Sequence, residues 1–219
     1  MDSTAGLLRL MSWLSPVFPT GGYAYSSGLE QAAVAGTVMD RNTLGNWLEC
    51  LLRAGPQWND AVFFAAAWRS AGDGEAVLSI AELARAMTGS AERLRETTDQ
   101  GNGFLEAAES WFEQDALPPR DTPLCAAVGT ACGLQGIALE DGLAAFLHAF
   151  VSNQLQAAIR LSITGQRGAA SLLADLEPAI AETAAHAASS TLDDLGTSTV
   201  LADIAAMQHE TLEPRLFLS

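Results

Sequence analysis

The side chains able to ligate a metal or attack a substrate are few in this chain, and they are scattered. His148, His186 and His209 stand more than 20 residues apart. Cys50, Cys125 and Cys132 form neither a C-x-x-C pair nor a Cys/His cluster, so neither a zinc site nor a disulfide framework is expected. Reduced, mostly buried thiols in a cytoplasmic protein are the simpler expectation. All 11 basic residues are Arg, which excludes the usual lysine-dependent phosphate loop. Gly101-Asn102-Gly103 lacks the third glycine and the preceding strand of a dinucleotide fingerprint. Neither a G-x-S-x-G elbow nor an H-E-x-x-H helix occurs. Carboxylates remain for acid–base chemistry. Glu106 and Glu109 would share a helix face and serve a helical small-molecule enzyme, although such acids ordinarily form a solvated surface. His148 lies beside an apolar stripe and reads as a hydrogen-bonded helix residue.

The composition points away from two classes of partner. With 11 basic and 26 acidic residues the net charge is −15, and phosphate binding needs a clustered basic face. Anionic lipid headgroups are disfavoured for the same reason. The uncharged run from Pro123 to Leu139 is 17 residues long but rich in Ala, Gly, Thr and Gln. A membrane span takes about 20 predominantly apolar residues. The first residues, with Asp2 ahead of Arg9, lack the basic start and apolar core of a cleavable leader. An apolar fraction of 49% against 17% charged describes a globular core.

Any site must be positioned by helices, because the apolar period is helical almost throughout. Leu7, Leu10, Met11 and Leu14 open the pattern, which Ser15-Pro16 interrupts. Ser27-Gly28-Leu29-Glu30 reads as a capping box for a second helix ending at Gly36. Thr43 is the expected N-cap of a third. Leu94, Thr98, Gly101, Leu105, Ala108 and Phe112 mark a long helix stopped by Pro118-Pro119. Gly129 and Gly133, in an Ala-rich stretch, suit close helix–helix approach within the subunit or between copies. One helix is expected near Ala169 to Leu176 and a separate one after Pro178. The expectation is one all-α domain over 1–219, a bundle of about ten helices with no sheet. A mobile connection near 189–198 and a C-terminal tail over 209–219 complete it.

The most informative segment is SPVFPTGGYAYSSGLE, residues 15–30. Gly21-Gly22 permits positive φ, the prolines stiffen the approach, and Tyr23 and Tyr25 bury poorly without partners. It reads either as a structural loop folded back on the core or as a rigid aromatic surface for protein recognition. The acids crowd residues 71–219, leaving the third that holds this segment nearly neutral.

Followed by AAVAG, this segment resembles the signature of the urease accessory protein UreF family. HAFVSNQLQAAIRLSITGQRGAASLL looks like the family's late helix, and ADIAAMQHETLEPRLFLS looks like its C-terminus. The resemblance implies an all-α homodimer that is not an enzyme. It implies binding to a second accessory protein (UreD, also called UreH), to the nickel-carrying GTPase UreG and to apo-urease. No cofactor would be held tightly; nickel would be handled transiently by the complex, and GTP would belong to the partner. Carried over by position, the partner-binding residues would be Gly21, Gly22, Tyr23, Ser26 and Glu30, then Arg160 and Gln166. Glu210, Arg215, Leu216, Phe217 and Ser219 of the tail would join them.

His209 would be a transient nickel contact; the plainer alternative is a hydrogen bond within the tail. For Arg160 the alternative is a helix-end arginine satisfying terminal carbonyls. The tail departs from the family pattern at Glu213-Pro214, where Tyr-Ser is common, and at Leu218, where a polar residue is frequent. Two rival readings remain: the carboxylate enzyme above, and a stand-alone nickel-binding chaperone, which would need a tighter site than scattered histidines supply.

Overall fold

The computed structural model describes residues 3–219 and contains ten α-helices and no strand among them. Asp2, on which the leader argument drew, lies outside the described residues. The centre is a pair of helices that are apolar on nearly every side, as fully buried helices must be. These are α4 (Pro56–Arg69) and α7 (Leu124–Leu134). They touch backbone to backbone. A Cβ on Gly129 would stand 2.4 Å from the Phe64 carbonyl oxygen, and one on Gly133 would stand 2.5 Å from that of Trp68. The glycine pair therefore serves packing inside the subunit.

Around this pair stand α3 (Arg41–Ala54), α5 (Gly74–Ala86), α6 (Ala91–Ala108), α8 (Leu139–Arg160) and α9 (Gln166–Ser189). Three short helices carry the ends of the chain: α1 (Ser3–Trp13), α2 (Leu29–Val34) and α10 (Val200–His209). Short 3-10 turns lie at Gly22–Ala24, Glu109–Trp111 and Leu192–Asp194.

Four local expectations need correction. Asp40, not Thr43, caps α3; Thr43 is its capping-box partner, and its backbone N–H donates to Asp40. Pro178 does not divide α9, which runs unbroken through it. Leu172, Leu176 and Ile180 bury against neighbouring helices, at about 1.5–3 kcal/mol each. Together they outweigh the roughly 3 kcal/mol that an interior proline costs. The long sixth helix stops at Ala108, ten residues before Pro118-Pro119. In α1, Leu10 and Trp13 are buried, whereas Leu7 and Met11 are exposed.

The 189–198 segment, expected to be mobile, contains a 3-10 turn and is hydrogen-bonded to α4 and to the end of α3. The Trp58 indole donates to the Asp194 carbonyl (2.9 Å), Gly196 N–H donates to the Asn59 side chain (2.8 Å), and Ser198 N–H donates to the Ala54 carbonyl (2.8 Å).

Candidate partner-binding site

Two stretches nearly 200 residues apart in the chain meet on α6, and three carboxylates receive them. The first stretch is the Gly-Gly loop. Gly21 has φ +73°, the left-handed region that glycine enters freely, and starts the 3-10 turn. Gly22 lies between α6 and α8: its carbonyl accepts from the Asn153 amide, and a Cβ there would crowd Gln100. Tyr25 turns inward and donates from its hydroxyl to Asp99 (3.0 Å). Burial, then that Asp99 contact, push its phenol up to about 12. Tyr23 points the other way and is 75% exposed.

The second stretch is the tail, which leaves α10 and runs beside the loop. Leu218 N–H donates to the Ala24 carbonyl (2.8 Å), and Ser26 N–H donates to the Ser219 carbonyl (2.9 Å). Ser26 also donates to that oxygen from its hydroxyl. Its side chains alternate: Phe217 and Ser219 are buried, while Leu216 and Leu218 face outward.

Glu30, Glu92 and Glu96 fasten the two stretches. The expected capping box is absent: Gly28, at φ +81°, caps α2 without a side chain. Glu30, only 5% exposed, instead accepts from Leu216 N–H (2.7 Å) and Phe217 N–H (2.9 Å). Glu92 pairs with Arg215 and with His209 Nδ1, the latter at 2.7 Å. Glu96 accepts from the Ser219 hydroxyl (3.0 Å) and the Ser27 hydroxyl (2.8 Å). Arg160, at the end of α8, lies 4.2 Å over the Phe217 ring and donates to the Tyr23 carbonyl. It therefore ties tail to loop through a cation–π contact and a hydrogen bond.

Beneath the tail, Arg93 pairs with Asp60 and, at 3.1 Å, with Glu96. Burial pushes the Asp60 carboxyl up while Arg93 pulls against it. Burial opposes the charge on Arg93, yet Asp60 and Glu96 carry its pKa above the ordinary value. Burial and the nearby Asp60 also raise the Cys125 thiol well above its usual range. Burial alone takes Cys132 to about 12. Neither thiol is a ready thiolate nucleophile at neutral pH.

Among the expected partner-binding residues, Gly21, Gly22, Tyr23, Ser26, Glu30, Arg160, Arg215, Leu216, Phe217 and Ser219 are thus brought together. Glu210 lies close by and caps the start of α6, accepting from Ala91 N–H (2.8 Å). Gln166 is exposed in the first turn of α9 and takes no part in these bonds. His209 is fully buried, with Nε2 toward Glu30 (3.2 Å) and Nδ1 toward Glu92, so neither ring nitrogen is open to nickel in this arrangement. Among the described residues no group of three or more His, Cys, Asp or Glu is placed to hold a metal ion. No helix among them is long and apolar enough to cross a membrane. Glu106 and Glu109 are exposed, without the partly buried setting a general acid would use.

The residues that the motifs missed are on α6. Glu96, Thr97 and Gln100 are buried, where the apolar spacing had placed Leu94 and Thr98 inward. The available signal was polar: Arg93, Glu96 and Gln100 fall at helical spacing on one line leading to the buried Phe104.

The described residues are all-helical or irregular, and those brought together at this site are bonded mainly to one another. A protein-family model described as UreF matches residues 38–177. The "Urease accessory protein UreF" of Brucella ovis is 54% identical over 220 residues, covering 100% of this chain and 96% of that protein. The protein of the same description from Agrobacterium fabrum is 52% identical, covering 100% and 98%. The one from Mesorhizobium japonicum is 50% identical, covering 99% and 98%. The chain belongs to the UreF family of urease accessory proteins. That membership makes it a urease maturation factor, not an enzyme.

Proposed function

We propose that this chain is the scaffold on which urease is loaded with nickel. It acts in the cytoplasm as a homodimer, binding a UreD/UreH-type accessory protein and a UreG-type GTPase and bringing them to apo-urease. The nucleotide chemistry belongs to the GTPase, and nickel is cargo of the assembly rather than a resident cofactor of this chain.

The observation that carries this reading is the union of loop and tail into one surface. The family's two signature stretches are bonded to each other, and their outward side chains, Tyr23, Leu216 and Leu218, stay exposed beside Arg215. A surface made by both ends of a chain is complete only when the chain is folded, which suits a platform for assembly. Within it, Ser26, Glu30, Phe217 and Ser219 hold the shape from inside, while Tyr23, Arg215 and Leu216 touch partners.

Co-expression with the two accessory partners tests the proposal. The full chain is expected to co-purify with both, and deletion of residues 215–219 is expected to weaken capture of both. A truncated chain that forms the complex as well as the full chain overturns the tail's role.

A further inference from the structure

Beside the clasped loop opens a second feature: a cleft of about 910 Å³ between residues 13–23 and one side of α8. Six aromatic rings line it: Trp13, Phe18, Tyr23, Phe104, Phe146 and Phe150. Its mouth is shared with the proposed partner surface, because Gly21, Gly22, Tyr23 and Arg160 belong to both. Clefts of this size with aromatic walls and a few polar groups are the ordinary form of a binding site.

One residue indicates what fits there. Gln57, in the first turn of α4, is 3% exposed and lines this cleft. Its side-chain amide makes no hydrogen bond to the described residues and is not sealed from solvent. An amide left unbonded at the wall of a cleft is free to pair with a group from outside the chain. An amide offers one acceptor and two donors, the complement of a peptide group. Aromatic walls with a peptide-matching amide at depth describe a receptor for polypeptide. A charged ligand suits it less, because Asp60, Arg93 and Glu96 at the floor already answer one another.

We infer that this cleft receives an apolar segment of the accessory partner, whose backbone pairs with the Gln57 amide while its side chains lie among the rings. The inference rests on the partner reading above and adds a second point of attachment beyond the tail.

Three measurements test it, using the full chain and the co-expressed UreD/UreH-type protein as the probe. Gln57→Leu removes an amide with no partner inside the chain, so its Tm should equal or exceed that of the wild type. Its Kd for the accessory protein should nevertheless rise about tenfold, as for loss of a central anchor. Ala149→Trp, which fills the cleft from α8, should weaken binding at least as much. A photo-crosslinking residue at Gln156, on the exposed rim, should join to one apolar stretch of the partner.

Unchanged affinity in both variants overturns the cleft while leaving the partner reading intact. Crosslinks only to a second copy of this chain, or displacement of a bound apolar dye without loss of partner affinity, overturn the stated occupant. A wild-type chain that does not bind the accessory protein overturns both readings.

Discussion

Glu30→Gln is the smallest change that should loosen the tail without disturbing the helical body. The carboxylate accepts two adjacent backbone N–H groups, from Leu216 and Phe217, and faces His209. Hydrogen bonds to a charged acceptor contribute about 1.5–3 kcal/mol each. Leu216 is half-exposed, so its bond belongs at the lower end; Phe217 N–H is buried and belongs at the upper. The amide of Gln keeps one acceptor but turns an NH2 group toward the other donor. One bond is lost and two donors are opposed, for about 2–3 kcal/mol of local destabilisation. That corresponds to roughly 30–150-fold greater opening of the tail.

Hydrogen exchange reads this directly, because the tail can open while the helices stay folded. The amides of residues 216–219 should exchange about 30–150 times faster in Glu30→Gln, with those of α4 and α7 unchanged. Tm should fall by only a few degrees, since the core of the protein is untouched. Wild-type protection of residues 216–219 in the variant would refute the assignment of Glu30 as the tail's clasp.

Other perturbations have equally definite outcomes. Ser26→Ala removes the hydroxyl bond to Ser219 and keeps the backbone one, so exchange at the tail should quicken by about fivefold, from a loss of about 1 kcal/mol. Gly129→Ala places a Cβ against the Phe64 carbonyl, where neither backbone can yield. It should cost about 3 kcal/mol, lowering Tm by roughly 6–12 °C in a thermal melt. Arg160→Met keeps much of the packing on Phe217 but loses the bond to Tyr23, so the loop and tail amides should lose protection together. Spectrophotometric titration should show one of the two phenols ionising only near pH 12, a step that Tyr25→Phe abolishes. The folded-state pKa of Tyr25 is raised, so the stability it contributes is complete below pH 10 and is lost as pH rises toward 12.

The helical architecture was legible because local rules and packing agree over most of it. Gly36 marked the end of α2, and the two glycines of α7 the contact that organises the centre. The rules failed where long-range contacts override them. Pro178 is a local stop signal, but the apolar stripe on both sides of it is buried by helices far away in the chain. Ser27 and Glu30 have capping-box spacing, but the tail's backbone N–H groups claim the carboxylate.

The site was half legible. Loop and tail stand out by their residue types. Their receiver on α6 does not, because Glu92 and Glu96 look like any acids in a chain with 26 of them. Burial distinguishes them, and it depends on a segment more than 100 residues further on.

The same separation has a consequence during synthesis. Ser26 leaves the ribosome 193 residues ahead of Ser219. At 5–20 residues per second the loop waits roughly 10–40 s for the tail. Once α6 has followed, the recess lies open to solvent until the tail is made. Its walls carry Glu30, Glu92 and Glu96, which water hydrates readily and which repel the same recess on a neighbouring nascent chain. A recess closed by apolar side chains would wait as an adhesive patch instead. Building the receiver from carboxylates lets the newborn chain remain soluble until its tail arrives.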